Sequence, residues 1–542
     1  MRARDLARLE GEVYDLLVVG GGIHGLACAY EAASRGLRVA LIEADDFGSG
    51  ASFNHQKTVH GGLRSLAALQ FGRARESVRE RRALARIAPW LLRPLPFLTG
   101  TYRSMAKNRL ALRAGFTLDS WLGRHRNDGL EPELHLPRAR LVSKAATLRL
   151  FPGIRQETLT GGAQWYDYQM VEADRLTLAF AAAADRAGAD LANHLEATAA
   201  LTEGSRIVGM TARDRLTGAS VTIRASVTLN AAGPRAGEIM RLFGVERPLP
   251  LVKAMNLVTT KRASDMALAA PGRDGRMLTL TPWRGRALVG TSQSPGLVQP
   301  GDTGVTSREI DGFLAEANHA FPALRLERGD ITLVHRGVVP AIARGDGKPD
   351  LKPSSEVLDH AASGTGGAIT LIGVKYTTAR AAAQRAITVV AKRLGRRLAP
   401  SRTSVATLPG AGIADHEALA IEAARRLRMD VPLPLIRHLI RLYAEAAPSI
   451  IALVNQRPDL REPLDPAVET IGAEVLHVIR HEMALRLSDI LVRRTGVGTA
   501  GPPPRGTLET AARIAAEELG WAARRTTDEI AAVQKIYEIT ES

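Results

Sequence analysis

The chain has 542 residues, of which 45% are hydrophobic and 24% are charged, a composition typical of a globular protein with two or three domains. Its single cysteine, Cys28, excludes an internal disulfide. The net charge of +16 favours anionic partners, but aromatic residues make up only 4% of the chain. Because so few aromatic side chains are available to stack on bases, we predict no nucleic acid partner.

The sequence also bears on location. No apolar stretch approaches the roughly 20 residues that a membrane-spanning helix needs, and the N-terminal MRARDLARLEGEVYD lacks the apolar core of a signal peptide. The basic residues are spread along the chain, so their charge has two interpretations, a solvated surface or attraction to anionic lipid or a phosphorylated substrate. We therefore expect a cytoplasmic protein, with peripheral association at the inner face of the cytoplasmic membrane as an option.

The first segment with a chemical signature runs from Tyr14 to Asp46. Leu16–Val19 and Arg38–Ile42 are short, largely apolar runs, which predict two buried parallel strands. The alanine-rich stretch between them predicts a helix that ends at Gly36. This strand-helix-strand order is typical of a nucleotide-binding unit.

The turn after the first strand has the spacing G-x-G-x-x-G, at Gly20, Gly22 and Gly25. The first glycine permits a tight turn, the second permits a pyrophosphate to approach the backbone, and the third permits close helix-strand packing. Glu43 ends the second strand, where its carboxylate can accept hydrogen bonds from ribose hydroxyls and would repel a 2′-phosphate. The unit predicts a dinucleotide other than NADP, and leaves NAD and FAD as alternatives.

A cluster of ionisable residues follows in KTVHGGLRSL, where Lys57, His60 and Arg64 surround the pair Gly61 and Gly62. Such groups beside a nucleotide-binding unit favour an anionic ligand, and the alternative is a solvated basic loop. His60 has two interpretations as well, a structural histidine bonded to the backbone or a catalytic or cofactor-linked one.

The middle of the chain predicts two insertions into the nucleotide-binding fold. Residues 72–164 carry helical patterns, including a solvated basic helix at Arg73–Arg86, and residues 244–330 alternate like an antiparallel sheet. Val227–Pro234 and Ala368–Arg380 each contain an apolar run that predicts a further strand of the first sheet. A nucleotide fold interrupted twice is typical of flavoproteins, so FAD is favoured over NAD.

The C-terminal third reads as helical beyond a polar boundary at Arg393–Ser404. It contains the histidine pair His477 and His481, followed by Glu482. The order is H-x-x-x-H-E rather than the H-E-x-x-H of zinc hydrolases. We therefore predict helix packing here and no metal.

Several motifs together resemble the FAD-dependent (respiratory) glycerol-3-phosphate dehydrogenases, within the D-amino-acid-oxidase-like superfamily. The resemblance runs in order from Tyr14 to Glu538 and rests on IEADDFGSGAS, KTVHGGLRSL, LNAAGPRAGEIM, TPWRGRALVGTSQ, IGVKYTTAR and GAEVLHVIRHEMALRLSDILVRRTGVG. It implies an α/β Rossmann-like FAD-binding domain, an antiparallel-sheet substrate domain and a C-terminal α-helical domain.

The resemblance also places the domain boundaries. The oxidoreductase region is expected at 14–395 and the helical domain at 396–542. The FAD-binding segments are expected at about 14–72, 165–243 and 331–395, and the substrate-domain segments at about 73–164 and 244–330.

The resemblance assigns two groups of site residues. The positions expected to contact FAD are Gly20, Gly22, Gly25, Glu43, Ser52, Lys57, His60, Gly61, Gly62, Leu63, Ala232, Gly233, Gly373, Lys375, Thr377 and Thr378. Among them, Lys57 would favour the reduced anionic flavin, and the pair Gly61 and Gly62 would lie against the flavin ring. The positions expected near the substrate are Arg64, Lys375, Asn256, Arg336, His335 and Lys253. Arg64 and Lys375, together with Arg336 or Lys253, are expected to hold an anionic group, and His335 or a water held by Asn256 is expected to act as the base.

The sequence departs from the family pattern mainly on the substrate side. Asn256 stands where the family often has a histidine, and Val339 stands where it has a second phosphate-binding arginine. Ser65 replaces a common tyrosine, and Gln293 replaces an aspartate. The FAD fingerprint is retained, so these departures bear on the identity of the substrate.

The implied function is oxidation of a secondary alcohol, best matched by sn-glycerol 3-phosphate going to dihydroxyacetone phosphate, with electrons passed to quinone. One alternative is a related flavoenzyme acting on a different anionic hydroxy or amino substrate. Another is a non-catalytic flavin-binding assembly protein. The sequence leaves the oligomeric state open, with a homodimer as one option.

Overall fold

The computed structural model describes residues 1–67, 69–103, 109–343, 349–410, 422 and 432–539. These residues form two compact units, each assembled from separated stretches of chain. The first unit comprises Met1–Phe53, Glu172–Leu249 and Ser355–Ile536, and the second comprises Asn54–Val171, Pro250–Ser354 and Tyr537–Ser542.

The strands are, in chain order, β1 Val13–Val19, β2 Val39–Ile42, β3 Thr58–Val59, β4 Leu92–Tyr102, β5 Arg140–Ser143, β6 Leu159–Met170, β7 Asp190–Ala192, β8 Leu195–Glu203, β9 Arg206–Asp214, β10 Ser220–Asn230, β11 Leu251–Thr259, β12 Ala267–Pro271, β13 Met277–Trp283, β14 Arg286–Gln293, β15 Ile331–Ala343, β16 Pro349–Leu351, β17 Glu356–Asp359 and β18 Ala368–Ile372.

The helices are, in chain order, α1 Leu6–Gly11, α2 Ile23–Ala33, α3 Leu63–Ala67, α4 Phe71–Ile87, α5 Arg109–Leu122, α6 Lys144–Leu150, α7 Ala173–Arg186, α8 Ala236–Leu242, α9 Ser307–Ala320, α10 Ala379–Arg393, α11 Leu433–Tyr443, α12 Ala447–Gln456, α13 Gly472–Glu482, α14 Arg505–Leu519 and α15 Ala523–Lys535. A π-helical turn at Asp489–Arg494 follows α13.

The first unit is built on a sheet with the strand order β17-β18-β10-β1-β2-β7, extended by β9 and β8 beside β10. The pairs among β18, β10, β1, β2 and β7 are parallel. Leu16, Leu17 and Val18 of β1 are completely buried, which explains why the strand is an uninterrupted apolar run. The first unit therefore presents the carboxyl ends of β1, β2, β10 and β18 at one edge, where parallel-sheet proteins bind ligands.

The second unit is built on a sheet with the order β16-β15-β11-β14-β13-β12-β4-β6-β3, and β5 pairs with β6. Most neighbours are antiparallel, and β4 and β12 are parallel. Its hydrophobic core includes Met255 and Leu257 of β11 and Phe313 of α9. The alternation read from the sequence thus corresponds to a sheet with one face packed on a helix.

The predicted fold class is confirmed, and the expected domain boundaries stay a prediction. Residues 54–72 and 331–354 belong to the second unit, and residues 396–536 belong to the compact unit of the first sheet. The stretch expected to be helical, 72–164, also contains the long strand β4 and the start of β6, and these two strands pair along their whole length.

Two further sequence predictions can be compared with the fold. The helix α4 is not simply solvated, because Ala74, Val78, Arg81 and Ala85 are all buried. Part of the C-terminal third predicted to be helical, residues 411–421 and 423–431, lies outside the described residues. Within the described ranges, no helix combines the length and the apolar character needed to cross a bilayer.

Candidate functional site

In the first unit, the turn between β1 and α2 has no space for side chains at Gly20 and Gly25. Gly20 has a φ of +112°, and a Cβ atom on it would lie 2.6 Å from the carbonyl oxygen of Ala231. A Cβ atom on Gly25 would lie 1.8 Å from the carbonyl oxygen of Gly20. Both contacts are far inside van der Waals distance, so the turn and the start of α2 can form only with glycine at these positions.

The beginning of α2 suits an anionic ligand. Its N-cap residue, Gly22, makes no side-chain capping hydrogen bond, and the first turn contains no acidic residue. The backbone N–H of Ile23 donates to the hydroxyl of Ser52 at 2.9 Å. A pyrophosphate at this helix end would meet backbone N–H groups and the positive end of the helix dipole.

The carboxylate of Glu43 lies beside the same turn. It accepts hydrogen bonds from the backbone N–H groups of Gly21, at 2.5 Å, and Asp45, at 2.8 Å. Burial raises the pKa of Glu43, although these two hydrogen bonds oppose the shift. The residues present therefore fit the adenosine diphosphate half of a dinucleotide, with a carboxylate acceptor for ribose and a helix N-terminus for phosphate.

The carboxyl ends of two further strands complete this edge of the first sheet. After β10, the side-chain oxygen of Asn230 accepts a hydrogen bond from the N–H of Ala232, and Gly233 adopts a φ of +58°. After β18, a Cβ atom on Gly373 would lie 2.5 Å from the imidazole ring of His24. Glycine at residue 373 is therefore required by a neighbour within the unit, independently of any ligand.

The polar run after Gly373 leads into α10. Lys375 is half-buried, and Thr377 and Thr378 are buried. Thr378 is the N-cap residue of α10 but makes no capping hydrogen bond through its side chain. The Tyr376 hydroxyl lies 2.9 Å from that of Thr177 in α7, which fixes this turn against a second helix.

In the second unit, Lys57 is completely buried and has a φ of +54°. Its backbone N–H donates to Nδ1 of His55 at 3.0 Å, and its carbonyl oxygen accepts from the N–H of Met170 at 2.8 Å. The ammonium nitrogen lies 5.7 Å from the ring centroid of Trp283, within cation-π range. Lys57 is therefore not a solvated loop residue, which excludes one of the two interpretations given to it.

His60 is held by two side chains. Its Nδ1 lies 3.3 Å from Oδ2 of Asp167, and its Nε2 lies 2.8 Å from the hydroxyl of Thr58. Asp167 also accepts from the Gly61 N–H at 2.7 Å and forms a buried ion pair with Arg81. Although burial raises the pKa of Asp167, Arg81 and the other donors lower it below its usual value, so the carboxylate is ionised and Nδ1 carries the proton.

The glycine pair is accounted for by α4. A Cβ atom on Gly61 would lie 2.1 Å from Nη1 of Arg81, and one on Gly62, whose φ is +85°, would lie 2.8 Å from Cβ of Ser77. The structure gives a reason for both glycines within the second unit, because the space a side chain would take is filled by α4. The contact with a flavin ring that the resemblance implies stays a prediction.

The candidates on β11 and β15 divide between the two faces of the second sheet. Asn256 lies directly opposite His335, and neighbours in an antiparallel pair share a face. Both are buried, and the Asn256 side-chain oxygen accepts from the Thr291 hydroxyl at 2.8 Å. Burial, with Lys57 and His55 nearby, lowers the pKa of His335 well below its usual value, so its imidazole is neutral.

Lys253 and Arg336 lie on the opposite face, towards α9 and the chain end. The Lys253 ammonium pairs with Glu309 of α9 at 2.6 Å and donates to the Gly304 carbonyl at 2.7 Å. Arg336 donates from Nη1 to the carbonyl oxygen of Glu538 at 3.2 Å. Neither shares a face with Asn256, and the anion-binding role expected of them stays a prediction.

The comparison with known families decides the class of the protein. The sequence model described as "FAD dependent oxidoreductase" matches residues 15–385. The chain belongs to this family of FAD-dependent oxidoreductases. A second model, described as "C-terminal domain of alpha-glycerophosphate oxidase", matches residues 401–526. FAD is thus the dinucleotide that the first unit's glycine turn, helix end and Glu43 are suited to hold.

Curated relatives within this family span nearly the whole chain. A glycerol-3-phosphate dehydrogenase of Synechocystis is 32% identical over 514 residues, covering 91% of this chain and 90% of the relative. One from Mycobacterium leprae is 33% identical and covers 98% of this chain and 89% of the relative. The solved structure of the glycerol-3-phosphate dehydrogenase from Bacillus halodurans complexed with FAD has a TM-score of 0.78, 24% identity and coverage of 99% and 96%, which shows the shared fold.

Sequence reasoning missed the pair Arg81 and Asp167. A usable signal for Arg81 exists, since Ala74, Val78, Arg81 and Ala85 have the spacing of one helix face, which would place the arginine on the buried side. No comparable pattern points to Asp167. The side chain of Arg64 lies outside the described part of the structure, so its predicted phosphate contact stays a prediction.

Proposed function

We propose that this FAD-dependent oxidoreductase oxidises the secondary alcohol of sn-glycerol 3-phosphate to the ketone, dihydroxyacetone phosphate. The observation that carries the proposal is the joint match of both family models, because the second is specific to alpha-glycerophosphate oxidase and covers residues 401–526. Relatives with the printed name glycerol-3-phosphate dehydrogenase, at 32% and 33% identity over nearly full length, support the same substrate.

Bound FAD supplies the acceptor for the hydride that leaves the carbinol carbon. The residues proposed to hold its adenosine diphosphate half are those of the first unit's edge, namely Gly20, Gly22, Gly25, Glu43, Ser52, Ala232 and Gly233. The loop of Gly373, Lys375, Thr377 and Thr378, which opens α10, is proposed to lie against its other half. The cofactor contacts that the resemblance implies for Lys57 and Leu63 stay predictions.

The hydroxyl proton of the substrate needs an acceptor. His335 is neutral, as a base must be, but its side chain is completely buried. Asn256 has no basic group and is 2% exposed. His60 differs from both, because its side chain is 50% exposed and is backed by the buried carboxylate of Asp167. We therefore favour His60 as the proton acceptor through Nε2, where the substrate hydroxyl would take the place of the Thr58 hydroxyl, with Asp167 orienting the ring.

The phosphate of the substrate is proposed to bind Arg64, because a guanidinium can fork onto two phosphate oxygens. Val339 lies opposite Val252 in the pairing of β11 and β15 and shares a face with Asn256 and His335. An arginine at residue 339 would therefore point to the same side as Asn256. Its absence supports the alternative substrate of a related flavoenzyme, a different anionic hydroxy or amino compound.

Two features remain proposals by resemblance alone. The electron acceptor is proposed to be quinone. The site of action is proposed to be the inner face of the cytoplasmic membrane, where the net charge of +16 would attract anionic lipid. Co-sedimentation with anionic vesicles should decrease as salt is raised, since the screening length falls to about 10 Å at 0.1 M. No binding at low salt would contradict this part of the proposal.

Anaerobic bleaching of the flavin absorbance tests the substrate. The purified holoenzyme is mixed with glycerol 3-phosphate, glycerol, phosphorylated polyols, hydroxy acids and amines, and the rate of reduction is compared. Fastest reduction by glycerol 3-phosphate supports the proposal, and faster reduction by another anionic compound assigns the alternative. A flavin that no compound reduces would favour a non-catalytic protein.

The variant pair Val339→Arg and Asn256→His tests the departures directly. If they raise the rate with glycerol 3-phosphate, the natural pocket is tuned for another substrate. If they leave it unchanged or lower it, the departures are compatible with glycerol 3-phosphate. Val252, which lies opposite residue 339, is left unchanged, so that Val339→Arg alters only one side chain of that cross-strand pair.

A further inference from the structure

Six buried polar side chains in the first unit join the loop after β2 to the π-helical turn at Asp489–Arg494. We call them the Asp46 cluster, and its members are Asp46, Asn193, His194, Asp489, Arg493 and Arg494. The side chains of Asp46, Asp489 and Arg494 are completely buried, and that of Arg493 is 11% exposed. Such a concentration of buried charge persists only where each group is paired.

Asp46 is at the centre of the cluster. Arg494 binds it through two parallel contacts, Nη1 to Oδ2 at 2.6 Å and Nη2 to Oδ1 at 2.8 Å. Arg493 adds a contact from Nε at 2.6 Å, and the amide of Asn193 donates at 2.9 Å. Burial alone would raise the pKa of Asp46, but the two guanidinium groups lower it below its usual value, so the carboxylate stays ionised.

Asp489 ties the cluster to the C-terminal residues. Its Oδ2 lies 2.8 Å from Nε2 of His194, and its Oδ1 accepts a hydrogen bond from Nη2 of Arg493 at 2.5 Å. Since Arg493 also binds Asp46, it bridges the two carboxylates. Asp46, His194 and Asp489 are close enough together to hold a metal ion. However, both carboxylates already accept charged hydrogen bonds from arginine, and a divalent cation beside two guanidinium groups would be repelled. The cluster is therefore an ion-pair network.

The loop that Asp46 anchors also forms part of the FAD-binding edge. Gly48 donates its backbone N–H to the carbonyl oxygen of Gly21 at 2.9 Å. The ring of Phe47 fills the space beside Gly21, since a Cβ atom there would lie 2.8 Å from Cδ1 of Phe47. Glu43 accepts from the N–H of Gly21 on the other side. Residues 43–48 thus pack against the glycine turn at Gly21, and the hydrogen bonds of Asp46 to the arginines hold this loop in place.

We propose that Asp46, held by Arg493 and Arg494, is a positioning residue for FAD. Its fixed side chain keeps Glu43 and Gly21 where they receive the adenosine ribose and the pyrophosphate. The residues around Asp489–Arg494 therefore contribute to cofactor retention. This inference rests on bound FAD, not on the identity of the substrate, so a wrong substrate proposal would leave it standing.

The test measures release of FAD from the holoenzyme after dilution, followed by the fluorescence of the free cofactor. Asp46→Asn and Arg494→Met should each speed release by about one to two orders of magnitude, the scale of a lost charge-assisted hydrogen bond. The double variant should release FAD little faster than either single variant, because both changes remove the same contact.

Glu31→Gln is the matched control. Glu31 is a buried carboxylate in the same unit, on α2, paired with Arg35 and bonded to Ser401 and Thr403. These hydrogen-bond partners, within the part of the chain that the structure describes, all lie outside 43–48, so loss of the carboxylate should lower the urea midpoint of the apoprotein without speeding FAD release comparably. Equal release from Glu31→Gln and Asp46→Asn, or release from Asp46→Asn as slow as from the unmodified protein, would overturn the proposal.

A second measurement needs no variant and so does not depend on the variants folding. Because coupling between two sites is reciprocal, removing FAD from the natural protein should increase amide hydrogen exchange at 485–495 as well as at 43–49. Exchange at 485–495 that is indifferent to FAD would refute the coupling.

Discussion

Replacing Gly61 by alanine should displace the buried guanidinium of Arg81. The new Cβ atom would lie 2.1 Å from Nη1 and 2.4 Å from Cζ of Arg81, whereas ordinary contact begins at 3.4 Å. The guanidinium would have to move by about 1.3 Å, the difference between 3.4 Å and 2.1 Å. It has little space to do so, because the Arg81 side chain is only 6% exposed and is bonded to Asp167 and to the Tyr166 carbonyl.

Displacement of Arg81 leaves the Asp167 carboxylate, which is 4% exposed, without its cation. Breaking a buried ion pair in this way costs about 3–5 kcal/mol. We therefore expect Gly61→Ala to lower the free energy of opening of α4 by that amount. Hydrogen exchange of the α4 amides under native conditions measures this quantity directly.

Two variants separate this explanation from others. In an Arg81→Ala background the guanidinium is absent, so Gly61→Ala should then cost less than about 1 kcal/mol, and the difference between backgrounds gives the coupling energy. Gly72→Ala, near the start of the same helix, is the control, since no atom lies within 4 Å of its added methyl group. If Gly61→Ala costs the same in both backgrounds, the glycine is needed for something other than Arg81.

Three further outcomes are expected. Lys253→Met should weaken the packing of β11 on α9 by about 1–3 kcal/mol, because Glu309 loses its cation. The KM for substrate should stay unchanged. A raised KM would show that Lys253 contributes to substrate binding. Burial lowers the pKa of His335, so as the pH falls below about 6.5 the unfolded chain should bind a proton at this histidine and the folded protein should not. The free energy of unfolding should therefore decrease in acid. His335→Asn should reduce that decrease, as measured by urea titrations at pH 5 to 7. Glu43→Arg should yield protein that loses FAD on gel filtration, because the acceptor beside Gly21 is replaced by a donor; full retention of the yellow colour would refute the assignment.

The parts of the site that sequence could predict are those formed by contiguous residues. The turn with Gly20 and Gly25, and the acid Glu43 that follows, are local, and their spacing alone determines their geometry. The Asp46 cluster is different, because it joins residues far apart in the chain, and only the tertiary structure shows that Arg494 reaches Asp46. The same applies to Arg81 and Asp167, which are brought together by the packing of α4 on the second sheet.

The candidates on β11 and β15 illustrate a constraint that the sequence does contain. Successive side chains of a strand point to opposite faces, so the adjacent residues His335 and Arg336 must lie on different faces of the sheet. What the sequence lacks is the register, since β11 and β15 pair across a long separation, and a shift of one residue would exchange the faces. Because Asn256 lies opposite His335, Lys253 and Arg336 lie on the other face of the sheet. There Lys253 pairs with Glu309, and Arg336 donates to the Glu538 carbonyl. The sheet then separates these cations from the Asn256 face. An anionic group at that face must therefore be bound by residues outside the two strands, which is why the proposal for phosphate binding in the second unit rests on Arg64.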